Sequence, residues 1–388
     1  MNTQTKKLGE VCEIEKERNN RRGLPFVGME DIESNSAQYL GSRTPRDVKS
    51  SSFYFTGKHI LYGRLRPYLN KVLLPNFEGH CSTEIFPIKV NNDLNKKYLF
   101  YWLTSDTVVK KVNATCTGTR MPRANMSEVL DFEIPLPPLP TQRRIVKKLD
   151  KIFASIEKAK RTTEKNLQNA RELFESYLHG VFASPGKGWE EKKLGEIADI
   201  KGGKRVPKGY RLETTPTNYP YIRVADFNDN GSVDLENIRY INESVFKQIN
   251  NYTISTNDLY ISIAGTIGKT GIVPDELGGA NLTENACKLI FKDNIYPKYV
   301  YYFTKTPDFL VQAGLNTRVA AMPKLALTRL STISFKIPRS LPEQKRIVAK
   351  LDTLSVKTKK LEAIYKQKLA DLDELKKSVL KKAFTGEL

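Results

Sequence analysis

Pro140-Thr-Gln-Arg-Arg-Ile-Val-Lys-Lys-Leu-Asp150 and Pro342-Glu-Gln-Lys-Arg-Ile-Val-Ala-Lys-Leu-Asp352 are one stretch written twice, 202 residues apart. The offset of 202 continues downstream without a gap: Leu167 meets Leu369, Leu173 meets Leu375, Leu178 meets Leu380 and Phe182 meets Phe384. Toward the amino terminus it shrinks. Met121-Pro122 pairs with Met322-Pro323 at 201, and Phe26-Val27 to Asp31-Ile32 resembles Tyr221-Ile222 to Asp226-Phe227 at 195. Lys6-Lys7-Leu8-Gly9-Glu10 recurs as Lys192-Lys193-Leu194-Gly195-Glu196 at 186. A monotonic climb of this kind describes one fold copied twice, with longer loops in the second copy.

Each copy has two parts. Residues 1–140 and 184–342 hold short apolar runs bounded by Gly and Pro, such as His59-Ile-Leu-Tyr62 and Asp258-Leu-Tyr-Ile-Ser-Ile263, which predict strands. Helical stretches near Tyr98–Val112 and Tyr299–Gly314 make these parts mixed α and β. Residues 141–183 and 343–388 lack proline, and each follows a proline-rich hinge that can open a helix. Alternate steps of four and three from Ile145 pass through Leu149, Ile152, Ile156, Leu173 and Tyr177. The same steps from Ile347 pass through Leu351, Leu354, Leu361, Leu372 and Leu375. These twelve residues predict two coiled-coil strands whose apolar stripes cover one another. At ~1.5 Å per residue each strand would be a rod of about 60 Å. The fold class expected is therefore α+β: two mixed domains joined by two long, paired helices.

The 388 residues hold 63 Lys+Arg against 43 Asp+Glu, a net charge of +20. Every one of the four segments carries a surplus of five, so the excess is spread through folded parts and is not a basic tail. Such a surplus points to a polyanionic partner, nucleic acid before membrane. No run of ~18 apolar residues predicts a membrane span, and the first residues lack the apolar stretch of a secretory signal. Cys12, Cys81, Cys116 and Cys287 are too scattered for a zinc cage or disulfide framework and suit the cytoplasm.

No catalytic site is legible. Ala264-Gly265-Thr266-Ile267-Gly268-Lys269-Thr270 resembles a phosphate-binding loop, but only two residues separate its first glycine from Gly-Lys, where four are needed. The repeat sets it against Gly63 to Lys71, which has no glycine loop. The three histidines form no HExxH pair, no nucleophile elbow or dinucleotide loop appears, and nothing beyond composition supports Glu284, Lys288 or Asp275-Glu276 as nuclease groups. No metal ligands are expected. Basic and aromatic side chains do recur in matching loops. Arg64, Arg66, Tyr68 and Lys71 follow a strand in the first copy, and Arg120 and Arg123 flank Met121-Pro122. In the second copy, Lys204 and Arg205 lie in a Gly-rich stretch, while Lys269 and Arg318 match Lys71 and Arg120. Arginine can grip guanine bidentately, and lysine holds phosphate. These ten residues are the candidate DNA contacts.

Two modules, each closed by Ile-Pro…Leu-Pro-x-Gln-(Arg/Lys)-(Arg/Lys)-Ile-Val and a long helix, resemble the specificity (S) subunit of type I restriction–modification enzymes. The matching residues run from Ile134 to Val146 and from Ile337 to Val348, joined by Leu61-Tyr-Gly-Arg-Leu-Arg-Pro-Tyr-Leu-Asn-Lys71 and the ending Phe384-Thr-Gly-Glu-Leu388. The resemblance implies two target-recognition domains, two central helices packed antiparallel, and an internal pseudo-twofold. It also implies that each domain reads half of a split target in double-stranded DNA, and that the helices act as a spacer ruler and dock two methyltransferase (M) subunits. S-adenosylmethionine, ATP and Mg would belong to those M subunits and to restriction (R) subunits, with no cofactor on this chain. The reading kept open beside it is a stand-alone DNA-binding regulator or scaffold that uses the helices as a strut.

Overall fold

The computed structural model describes residues 4–18, 23–46, 51–315 and 324–388. Its chain divides into two compact units, Met1–Lys165 with Tyr365–Leu388, and Asn166–Ile364. Four helices organise them: Lys96–Leu103 (α1), Leu139–Ala183 (α2), Pro297–Phe303 (α3) and Leu341–Thr385 (α4). Both long helices span 45 residues and contribute to both units. Among the described residues no helix is long and apolar enough to cross a membrane, and no group of three or more acidic, His or Cys side chains could hold a metal ion.

The duplication is visible strand by strand. In the first unit Cys12–Ile14 (β1), His59–Gly63 (β2), Val72–Leu73 (β3) and Ile85–Val90 (β4) form an antiparallel sheet in the order β1-β4-β2-β3. In the second, Ala198–Gly202 (β5), Leu259–Ser262 (β6), Thr270–Ile272 (β7) and Ala286–Phe291 (β8) repeat it as β5-β8-β6-β7. A smaller sheet in each unit also has the same parallel and antiparallel pairings. The second copy adds the edge strand Arg239–Tyr240 and the helix Glu243–Ile249, part of its extra length.

The repeated motif anchors the start of each long helix. Its proline occupies the second position of each long helix, where no amide donor is needed. Two residues on, the Gln142 side chain is fully buried. Its Oε1 accepts the Asn95 N–H at 2.8 Å, and its Nε2 donates to the carbonyls of Asp93 (2.9 Å) and Pro137 (2.8 Å). Gln344 does the same, accepting from Tyr296 (2.8 Å) and donating to Asn294 (3.1 Å) and Pro338 (2.9 Å). Each amide thus ties the start of a long helix to the residue that caps α1 or α3. The closing aspartates act one step later. Asp150 takes Lys97 at 2.7 Å and the Tyr101 hydroxyl at 2.5 Å. Asp352 takes Lys298 at 2.8 Å and Tyr302 at 2.5 Å. Burial first, then the aspartate hydrogen bond, pushes both tyrosine hydroxyls well above their usual range.

Inside each unit α2 and α4 run antiparallel. In the first, the Lys376 ammonium lies 5.7 Å from the Phe153 ring and Lys160 pairs with Asp373, so α4 falls as α2 rises. In the second, Arg171 pairs with Glu362 at 3.1 Å, while Tyr177 lines a groove with Arg346 and Lys350. The helices also pack on their own domains: Ile145, Val146 and Leu149 join the core of the first unit, and Ile347, Val348 and Leu351 that of the second.

Four residues expected in the helix pairing are corrected. Leu173, Tyr177, Leu361 and Leu375 face solvent, at 52, 41, 37 and 47% exposure. Ile145, Leu149, Ile152, Ile156, Ile347, Leu351, Leu354 and Leu372 are buried or half-buried. The stripe moves one residue on, to Phe174, Leu178, Glu362, Leu369 and Lys376. The cause is helix geometry. A straight helix drifts ~20° per heptad against strict 4/3 steps, and four heptads from Ile145 or Ile347 sum to about one residue position. Near the helix centres Thr163 and Thr358 are buried, and each hydroxyl donates to the carbonyl four residues back, at 2.8 and 3.0 Å.

Candidate nucleic-acid interface

The turn between β2 and β3 carries the first group of basic and aromatic residues. The Gly63 N–H donates to the Lys71 carbonyl at 2.9 Å and closes it. Arg66 and Asn70 both take left-handed backbone angles, φ 51° and 48°, around the short helical turn Pro67–Leu69. Side chains other than glycine avoid this conformation, so the turn stores about 1–2 kcal/mol at Arg66. Its surroundings impose the shape. Pro67 is buried, the Arg66 N–H donates to Pro122 O at 2.7 Å, and the Ala124 N–H donates to Arg64 O at 2.9 Å. The Asn70 side chain donates to Thr104 O at 3.0 Å, leaving its buried Oδ1 with no partner among the described residues. Arg66 and Tyr68 therefore project outward, Tyr68 half exposed.

The turn between β6 and β7 is its counterpart. Ser262 N–H donates to Lys269 O at 2.9 Å, and Leu325 N–H to Ile263 O at 2.9 Å, matching the closures made by Gly63 and Ala124. Left-handed residues recur at both ends, here as Gly265 (φ 73°) and Gly268 (φ 90°). The string that resembled a phosphate-binding loop is thus this same turn, built with glycine where the first copy uses Arg66 and Asn70. Buried Ile263 stands where the first copy has Arg64.

The structure sorts the ten candidates. Arg64, Arg66, Tyr68 and Arg123 come together in the first unit, because the Leu65–Arg123 bridge joins the turn to the loop carrying Arg120, which is exposed. Lys204 and Arg205 lie on one exposed stretch of the second unit, Lys204 at 5.6 Å from the Tyr252 ring. Lys71 and Lys269 are instead engaged by the protein: their ammonium groups donate to Met29 O at 2.6 Å and Phe227 O at 2.9 Å, and Lys269 also pairs with exposed Asp229 at 3.3 Å. Arg318 lies outside the described residues. We expect Lys71→Ala to lower stability by ~1–3 kcal/mol, the cost of losing a charged donor to a half-buried carbonyl. It should leave the salt dependence of DNA binding unchanged. Thermal unfolding and a salt titration separate the two, and a shallower salt slope would show a phosphate contact.

Two carboxylates were not anticipated as part of this surface. Glu84 holds Arg64 Nε at 3.1 Å and Arg123 Nε at 2.9 Å, and Glu284 holds Arg205 Nε at 2.5 Å. Burial raises both carboxyls, but the guanidinium groups outweigh it and hold each below the ordinary carboxylate range. The available sequence signal is the dipeptide Thr83-Glu84, repeated as Thr283-Glu284.

Apolar and basic residues of α2 and α4 line a groove of about 560 Å³ within the second unit, formed by Leu173, Tyr177, Ala349, Leu354, Arg346 and Lys357 among others. The exposed leucine and tyrosine of the displaced heptad line its wall.

Comparison with known proteins adds the family. The type I restriction modification DNA specificity domain matches residues 2–166 and again 186–370. The EcoBI type I restriction enzyme specificity subunit of Escherichia coli is 23% identical over 95% of this chain and 81% of its own length. The MjaVIII specificity subunit of Methanocaldococcus jannaschii is 24% identical over 94% and 89%. Two solved structures share the fold at 23% identity. One is a chain from work on complex assembly and conformational transition of the type I R-M system, with TM-score 0.83 over 99% of this chain and 98% of that one. The other is the HsdS subunit from Thermoanaerobacter tengcongensis, with TM-score 0.66 over 99 and 97%. With two copies of the domain covering most of its length, this chain belongs to the specificity subunits of type I restriction–modification systems, their non-catalytic component.

Proposed function

We propose that each unit reads one half of a split target in double-stranded DNA, and that the exposed faces of α2 and α4 dock two methyltransferase subunits. The observation that carries this reading is the repeated turn, left-handed at both ends and set on the same sheet edge in both units. In the first unit it offers Arg66 and Tyr68. In the second the adjoining cations are Lys204 and Arg205. Arginine and lysine at such turns neutralise phosphate, and arginine also distinguishes bases in the major groove. The groove at Leu173 and Tyr177 supplies apolar surface flanked by Arg346, Lys350 and Lys357, which fits an apolar partner surface rimmed by acidic groups. S-adenosylmethionine, ATP and Mg then belong to methyltransferase and restriction subunits, and the assembly works in the cytoplasm. Co-expression with the methyltransferase tests it. Two copies should co-purify with one specificity chain, and tight sequence-specific DNA binding should need them. A chain that binds a specific site alone and retains no methyltransferase would be a regulator, and this reading would fall.

A further inference from the structure

We infer that Arg64 reads a guanine in the half-site of the first unit, and that Glu84 is the positioning residue that aims it. This rests on the proposed DNA-reading role. The Arg64 Nε is occupied by Glu84 Oε2 at 3.1 Å, and its guanidinium carbon lies 5.0 Å from the centre of the Phe86 ring. Its two terminal nitrogens form no hydrogen bond to any described residue. A guanidinium fixed through Nε and supported on one face keeps those two nitrogens as a planar, parallel pair of donors. The O6 and N7 acceptors of guanine in the major groove fit that pair, and no other base presents two acceptors there.

Glu84 and Phe86 fix the fork because they are themselves fixed. Glu84 directly precedes β4, the Arg64 N–H donates to its carbonyl at 2.9 Å, and Phe86 is buried in the first core. The same carboxylate takes Arg123 through Nε and Nη2, both at 2.9 Å, and Arg123 Nη1 donates to Met121 O at 3.3 Å. Arg123 is therefore engaged through all three of its nitrogens, and serves to keep Glu84 ionised and oriented. A guanidinium free to rotate would contact phosphates as readily as bases. Holding it before DNA arrives removes that ordering cost and favours one geometry. The second unit has buried Ile263 at the Arg64 position, so the fork belongs to one half-site only.

The test uses the full chain in complex with its methyltransferase subunits and maps methylated adenines by sequencing. The wild-type map should show a split target with a guanine in one half. Arg64→Ala, Arg64→Lys and Glu84→Gln should each relax that single G·C position by about 10- to 100-fold in discrimination, leaving the other half-site intact. Lysine keeps the charge but lacks the fork, so it should not rescue. Should Glu84→Gln fold poorly, the wild-type complex serves. Replacing the guanine by 7-deazaguanine, which lacks N7, should weaken binding about tenfold at that position and nowhere else. A wild-type map with no split target overturns the DNA-reading role itself. A split target unchanged in stringency in the variants, or a uniform loss for all DNA with the salt slope reduced by about one, overturns the guanine assignment alone.

Discussion

Gln344→Leu should lower the thermal midpoint of the chain by roughly 10 °C. The substitution conserves volume but leaves the Tyr296 N–H and the carbonyls of Asn294 and Pro338 without their partner in a site that is 1% exposed. Each stranded group costs ~1–3 kcal/mol. Discounting for partial relaxation, a total of about 3–5 kcal/mol at 2–4 °C per kcal/mol gives the stated shift. Gln142→Leu strands the Asn95 N–H and the carbonyls of Asp93 and Pro137, and should behave alike. Glutamate at either position is the sharper control. It can still accept the N–H but cannot donate to two carbonyls, so it should be no milder than leucine. Calorimetry reads all of these, and an unchanged midpoint for both leucine variants would show that the motif glutamines do not anchor the helices.

The second large effect concerns target geometry. Removing one heptad from each long helix, residues 163–169 and 364–370, should shorten the preferred spacer by about three base pairs while leaving both half-sites unchanged. Seven residues at ~1.5 Å make about 10 Å, and duplex DNA rises 3.4 Å per base pair. A whole heptad is the appropriate unit because the buried positions 142, 149, 156, 163 and 170 recur at sevens. Removing it keeps the stripe inward and preserves the Lys160–Asp373 and Arg171–Glu362 pairs. Methylation mapping of the variant complex decides it. New half-sites with the old spacer would overturn the expectation that helix length sets the spacer.

Much of the architecture was legible because it is written twice. The repeat needs no coordinates: equal offsets forced equal elements, and the sheet orders β1-β4-β2-β3 and β5-β8-β6-β7 agree with them. The helices were legible from the lack of proline and the apolar spacing. Their register was not, since heptad stepping assumes a period that a straight 45-residue helix does not keep, which is why Leu173 and Leu375 emerge on the surface. Candidate contacts were legible only as residue types. Sequence could not separate Arg66, thrown outward by a left-handed backbone, from Lys71 five residues on, whose ammonium donates to Met29 O.

The amino-acid sequence by itself therefore determined the duplication, the paired helices and a distributed positive surplus, because these depend on periodicity and composition along the chain. The tertiary structure alone decided which cations the protein itself engages and which carboxylates hold them. Glu84 lies 20 residues from Arg64 and 39 from Arg123 in the chain, yet one carboxylate holds both. Direction of a side chain is a property of the strands and carbonyls around it, and those neighbours are brought together only by folding.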